Sequence, residues 1–198
     1  MLGQTFGQTS QIRTKVKAAG REAVELERHS DGFRIRVAIE FFKSPQQKQP
    51  PFKSGLEFVD SVLAGMHDFL VKIEIEEREA GAEKAEIVKN VGFAFGEGLR
   101  KLIEKRKAKD SGSSIHSDGK AMCMFAISAK RQPGEANLQI IGAPGRGFDP
   151  QHFFAFFDGL AQGMEAEVDV AADFGKSKEK QMDFVSRAFA DALEQVFA

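Results

Sequence analysis

The 198-residue chain contains no tryptophan and no tyrosine, and it has a single cysteine. Aromatic packing therefore falls to 19 phenylalanines. These bury as much apolar area as any side chain but bring no phenol or indole hydrogen bond to a surface. Sugar- or base-stacking surfaces, where Tyr and Trp are favoured, become less expected. One thiol excludes an internal disulfide and any metal site made of cysteine alone. Cys123 stands among Met122, Met124 and Phe125, so a buried, inert side chain is expected. No stretch approaches the ~20 apolar residues of a membrane helix, and no apolar run follows a basic head near Met1. No membrane span and no signal peptide are expected, and the cytoplasm is the default location. Charge is nearly balanced, at −1 net, which leaves no overall field to draw in nucleic acid.

What the chain does contain is a repeat. His29-Ser30-Asp31-Gly32 returns as His116-Ser117-Asp118-Gly119. Phe58, Val59 and Asp60, followed by Gly65 and Met66, return as Phe156, Phe157 and Asp158, followed by Gly163 and Met164. Val91, Ala94, Phe95, Glu97 and Leu99 are echoed by Val185, Ala188, Phe189, Asp191 and Leu193. Three blocks in the same order indicate an internal duplication.

Phe33, Ile35, Val37, Ile39 and Phe41 alternate with Arg34, Arg36, Ala38 and Glu40. With Val24 and Leu26 before the Asp31-Gly32 turn, this predicts a β-hairpin with one apolar face. Pro45, Pro50 and Pro51 then mark a loop. Leu56, Val59, Leu63, Met66, Leu70 and Ile73 recur at helical spacing, as do Val88, Val91, Phe95 and Leu102, which predicts an αα-hairpin. Its second helix ends in Lys101, Lys105 and Arg106, a solvated basic end suited to the helix dipole. The second copy reads as strands at 121–130 and 137–141. A helix follows from the Asp149-Pro150 start signal, and a last helix, capped at Ser177, is striped by Met182, Val185, Phe189 and Val196. The expected fold is α+β: two β-hairpin-plus-αα-hairpin units whose strands form an antiparallel sheet, covered on one face by four helices. Residues 1–20 read as a tail, 21–110 as the first repeat and 115–198 as the second. One shared core is expected, since each ~85-residue unit alone is only marginally stable.

Few residues suggest chemistry. The repeated turn predicts backbone geometry first. If His29 and His116 meet across a pseudo-twofold axis, Asp31 and Asp118 complete a metal or hydrolytic site. His67 and His152 read as boundary histidines, because no second ligand stands at i+4. Gly142, Gly145 and Gly147 precede a helix without the spacing of a phosphate loop, leaving Arg146 as a candidate anion contact. Gly92, Gly96 and Gly98 cost roughly 1 kcal/mol each in a helix and predict close backbone approach. Phe153, Phe154, Phe156 and Phe157 are too apolar for a surface helix and mark an interaction face or core. With no catalytic constellation and no cofactor motif in view, the expectation is a non-enzymatic interaction or scaffold protein with a protein partner or a second copy. The alternatives are a Phe/Met-lined carrier of an apolar molecule, or the histidine site.

Overall fold

A computed structural model describes residues 13–20, 22–30, 32–41, 53–77, 83–129, 134–145, 148–175 and 181–198. The Pro45–Pro51 loop, the Ser177 cap, Asp31 and Arg146 lie outside them.

The described elements are β1 (Arg13–Ala19), β2 (Ala23–His29), β3 (Phe33–Phe41), α1 (Glu57–Leu63), β4 (Phe69–Glu77) and α2 (Lys84–Arg106). They are followed by β5 (Ser111–Ser117), β6 (Met122–Ser128), β7 (Glu135–Ile141), α3 (Pro150–Met164), β8 (Glu167–Asp173) and α4 (Gln181–Phe197). The class is α+β, with four helices among the described residues and a duplicated order. The repeated unit is β-β-α-β-α: β2, β3, α1, β4 and α2 correspond to β5, β6, α3, β8 and α4. Outside the repeat stand β1, formed by residues expected in the tail, and β7, which follows β6 where the first copy has its proline-containing segment.

Besides β1, two features differ from the sequence expectation. Strands β4 and β8 separate the helices of each copy, so neither copy contains an αα-hairpin. In β4, Phe69, Val71 and Ile73 point inward and alternate with Lys72 and Glu74. The short α1 before it happens to continue the same residues at helical spacing, and the two periods overlap. The strands also form two sheets rather than one. The first has the order β1-β2-β3-β4 and is antiparallel throughout; the second has the order β5-β6-β8-β7, with β7 parallel to β8. Each sheet has an apolar face that needs cover, and the helices lie between those faces.

That position explains the Phe-rich helix. Phe153, Phe156 and Phe157 are fully buried, and only Phe154 reaches solvent, at 41% exposure. Phe157 packs on Phe125 of β6 and Phe189 of α4, with ring centroids 5.2 and 5.8 Å apart. Phe156 meets Phe95 of α2 at 6.5 Å. Each such burial contributes about 2 kcal/mol of transfer free energy, enough to fix the helix as interior. Buried side chains from both copies form one cluster.

The helices pair across the copies. Gly92 and Gly96 of α2 lie against the backbone of α3 at Phe156 and Leu160, and Gly159 and Gly163 of α3 lie against α2 at Lys89 and Phe93. Gly98 faces Val24, Leu26 and Ile39 of the first sheet. In turn α4 packs on α1, where the Ser186 hydroxyl accepts from Gly65 N (2.7 Å) and donates to Val62 O (2.9 Å). No helix among the described residues is long and apolar enough to cross a membrane.

Candidate functional site

The two repeated histidines do not occupy equivalent places. In the first hairpin Ser30 N bonds Phe33 O, while in the second Asp118 N bonds Ala121 O. The structural match therefore runs one residue out of step with the sequence match. A one-residue slip turns a strand side chain to the opposite face. His29 thus lies on the outer face of the first sheet and His116 on the inner face of the second.

His29 Nε2 bonds Glu27, a carboxylate that is only 3% exposed. Lys17 Nζ (3.2 Å), Arg34 Nη2 (3.2 Å) and Arg36 Nε (3.0 Å) also reach Glu27. Burial pushes this carboxyl up, but the hydrogen bonds from Arg36, Lys17, His29 and Arg34 outweigh it and hold it well below the usual carboxylate range. His116 Nε2 instead lies 2.6 Å from Asp191 Oδ2 on α4. Its structural equivalent in the first copy is Arg28, in the field of Glu97, the equivalent of Asp191. Arg28 also donates to Asn90 Oδ1 (2.6 Å) and covers the Phe93 ring at 3.9 Å. A basic side chain on the strand thus faces an acidic one on the helix in both copies, with different residues in each. Asp118 accepts from Lys120 N (2.9 Å) and Ala121 N (3.0 Å), which orders its turn. Among the described residues, no group of three or more His, Cys, Asp or Glu side chains is placed to hold a metal ion. Cys123 is buried in the second sheet, and burial pushes its thiol up to about 12, so it is inert as a nucleophile.

The side chains that do converge are elsewhere. The N-terminal ends of α1, α2 and α3 open on one cleft of about 510 Å³, lined by Leu56, Glu57, Phe58, Lys84, Asp149 and His152 among others. Pro150 at the first helical position and Asp149 at the cap fix the start of α3. Asp149 Oδ1 accepts from Gln151 N (2.9 Å) and His152 N (3.3 Å). Its other oxygen lies 3.2 Å from His152 Nδ1, which orients the imidazole and leaves Nε2 for another partner. Gln151 Nε2 donates to Glu83 Oε1 (3.2 Å) and joins the start of α3 to that of α2. Ser54 N donates to Asp60 Oδ1 (2.8 Å), which holds the turn before α1. Phe58 lies 6.4 Å from the His152 ring and 6.3 Å from Phe148, giving the cleft an aromatic side. Gly145 N, two residues after Ala143, is tied to Gln181 Oε1 at 2.7 Å, so Gly145 lies beside the start of α4.

The residues of this cleft are scattered along the sequence. The Asp149-Pro150 signal located the start of α3, and His152 at i+3 from the cap was visible. Nothing in the linear chain brings Glu57 and Lys84 to the same place.

A duplicated β-β-α-β-α unit with its helices enclosed between two four-stranded sheets defines the structural class. Solved structures of that fold include imidazoleglycerol-phosphate dehydratase from Staphylococcus aureus (TM-score 0.65, 12% identity, 95% of this chain and 99% of that one). They also include the Pyrococcus furiosus structure described as IGPD in complex with (S)-C348 (TM-score 0.62, 20% identity, 86% and 89%). No protein-family model matches the chain, and no curated protein matches its sequence.

These findings correct the expectation of a non-enzymatic interaction or scaffold protein. The fold is one that an enzyme uses over nearly its whole length. The apolar helix that motivated the expectation is core, with Phe153, Phe156 and Phe157 enclosed. The carrier alternative fails with it, because the rings that were to line a pocket pack on one another.

Proposed function

We propose that the chain binds a small phosphorylated molecule in the cleft at the starts of α1, α2 and α3, and that His152 moves a proton on it. One observation carries this reading: a carboxylate-held imidazole faces a cleft that also contains a lysine. Imidazole is the side chain that exchanges protons near neutral pH, and the Asp149 contact at Nδ1 directs Nε2 to the ligand. Lys84 supplies the cation for an anionic group, and Glu57 accepts from a hydroxyl or a ring N–H. Phe58 and Phe148 receive a flat ring. The likeness to a dehydratase whose named substrate combines an imidazole, hydroxyls and a phosphate supports that choice of ligand. Elimination of water needs a proton removed from one atom and another delivered to the leaving hydroxyl, and an oriented imidazole serves either step.

Calorimetric titration with imidazoleglycerol phosphate, paired with an assay for its dehydration, tests the proposal. Wild type binds, and Lys84→Met weakens binding by about tenfold or more, the worth of one charge-assisted hydrogen bond. His152→Gln keeps affinity within a few-fold and abolishes turnover. Absence of binding by wild type, or equal binding by Lys84→Met, refutes the ligand assignment. Turnover undiminished in His152→Gln refutes the role of the histidine.

A further inference from the structure

We propose that β5 pairs edge to edge with β5 of a second copy of this chain. This strand lies in the second sheet and shares no residue with the cleft. Strand β5 ends its sheet, with β6 on one side. Antiparallel strands turn successive residues' backbone groups alternately toward and away from a neighbour. Asp110 O accepts from Ala129 N, and Asp118 N donates to Ala121 O, so the even-numbered residues between them face β6. The N–H and C=O of Ser113, Ile115 and Ser117 face outward. At Ser113 those groups are already taken: Gln195 Oε1 accepts from Ser113 N (3.2 Å) and Gln195 Nε2 donates to Ser113 O (2.7 Å). Among the described residues, no strand covers Ile115 and Ser117.

The first copy displays what this edge accepts. The equivalents of Ile115 and Ser117 there are Glu27 and His29, which pair with Lys15 and Arg13 of β1. The same edge of the duplicated unit therefore carries an added strand in one sheet and, among the described residues, none in the other. The occupant must differ, because β1 brings a cation, Lys17, to a buried Glu27 and β5 has no acid in that place. Ile115 stands there instead, 62% exposed, with Met122 of β6 40% exposed on the same face. An uncharged, partly apolar strand is complementary to itself. A twofold axis at His116 sets Ile115 opposite the partner's Ser117 and Ser117 opposite the partner's Ile115, each pair exchanging both backbone bonds. Gln195 stops the ladder at Ser113, so the pairing is short and reversible.

Sedimentation equilibrium of the full chain over a range of concentrations tests this, alongside Ile115→Pro and Ile115→Lys. Proline removes the outward N–H and leaves the bonds to β6, as edge strands tolerate. Lysine opposes like charges across the axis. Wild type forms a concentration-dependent dimer, and each variant with a wild-type far-UV spectrum dissociates at least about tenfold more readily. A wild type that stays monomeric at its solubility limit overturns the proposal. So does a folded variant of either kind that associates like wild type.

Discussion

At the scale of single residues, the firmest electrostatic feature is Glu27, enclosed by Lys17, His29, Arg34 and Arg36. Its folded-state proton affinity is lowered, so the stabilisation it provides is complete above the unfolded carboxyl value of about 4.3. That stabilisation disappears as pH falls below this value and through the lower folded one. Glu27→Gln removes the charge and leaves three permanent cations facing an amide. Thermal melts are therefore expected to show a lower Tm than wild type at pH 7, with the gap closing progressively below about pH 4. A gap as wide at pH 2 as at pH 7 contradicts this account. Single residues also show where sequence reading went astray. The His-Ser-Asp-Gly identity is real in the sequence, yet the first inward residue follows Gly32 directly as Phe33, whereas Ala121 comes two places after Gly119. The parity of the apolar set carried the correct register, and the identity of four letters concealed it.

At the scale of elements, the first hairpin and the long helices were legible because each has a single period and a clear start or stop, whereas the serine-rich β5 has no apolar alternation to mark it. Strand β3 alternates over its whole length, and α3 begins at an Asp-Pro cap that the structure uses as one. Strand β4 was lost because the helical stripe of α1 continues by coincidence into its alternation. The candidate cleft was illegible for a different reason: it joins the starts of three helices separated by tens of residues, and only packing brings them together. The helix glycines were read correctly as points of close approach, although sequence alone left open which helices meet. The structure answers with α2 against α3. A Cβ added at Gly159 would overlap Lys89 O and the Phe93 backbone, with no side-chain end able to move aside. Gly159→Ala is expected to destabilise the fold by about 3 kcal/mol, measured by urea denaturation. Gly20→Ala, whose Cβ meets only Ala23 O at 3.6 Å, is expected to change stability by less than about 0.5 kcal/mol. Equal effects of the two would show that the α2–α3 approach is not tight.

At the scale of the whole molecule, the duplication and the helix exchange act together. Helix α2 of the first copy packs on α3 of the second, and α4 of the second packs on α1 of the first. Phe197 at the end of α4 reaches back to Phe41 and Phe69 of the first sheet, at 5.3 and 5.1 Å. Each sheet is covered by helices of its own copy, α2 on the first and α3 and α4 on the second, and those helices lose the partners on their other side if the other copy unfolds. The physical expectation is one cooperative unit. Calorimetry should give a single transition whose calorimetric and van't Hoff enthalpies agree, and a chain of residues 111–198 alone should lack a cooperative melt. Mixing that fragment with residues 1–110 should restore the melt, since the apolar surface each fragment exposes when alone is the surface the other one covers. Two resolved transitions in the intact chain, or a fragment that melts cooperatively alone, would mean that each copy carries a sufficient core. The shared Phe cluster would then be contact between two domains, and the cleft, which draws α1 and α2 from one copy and α3 from the other, would lie at a domain boundary.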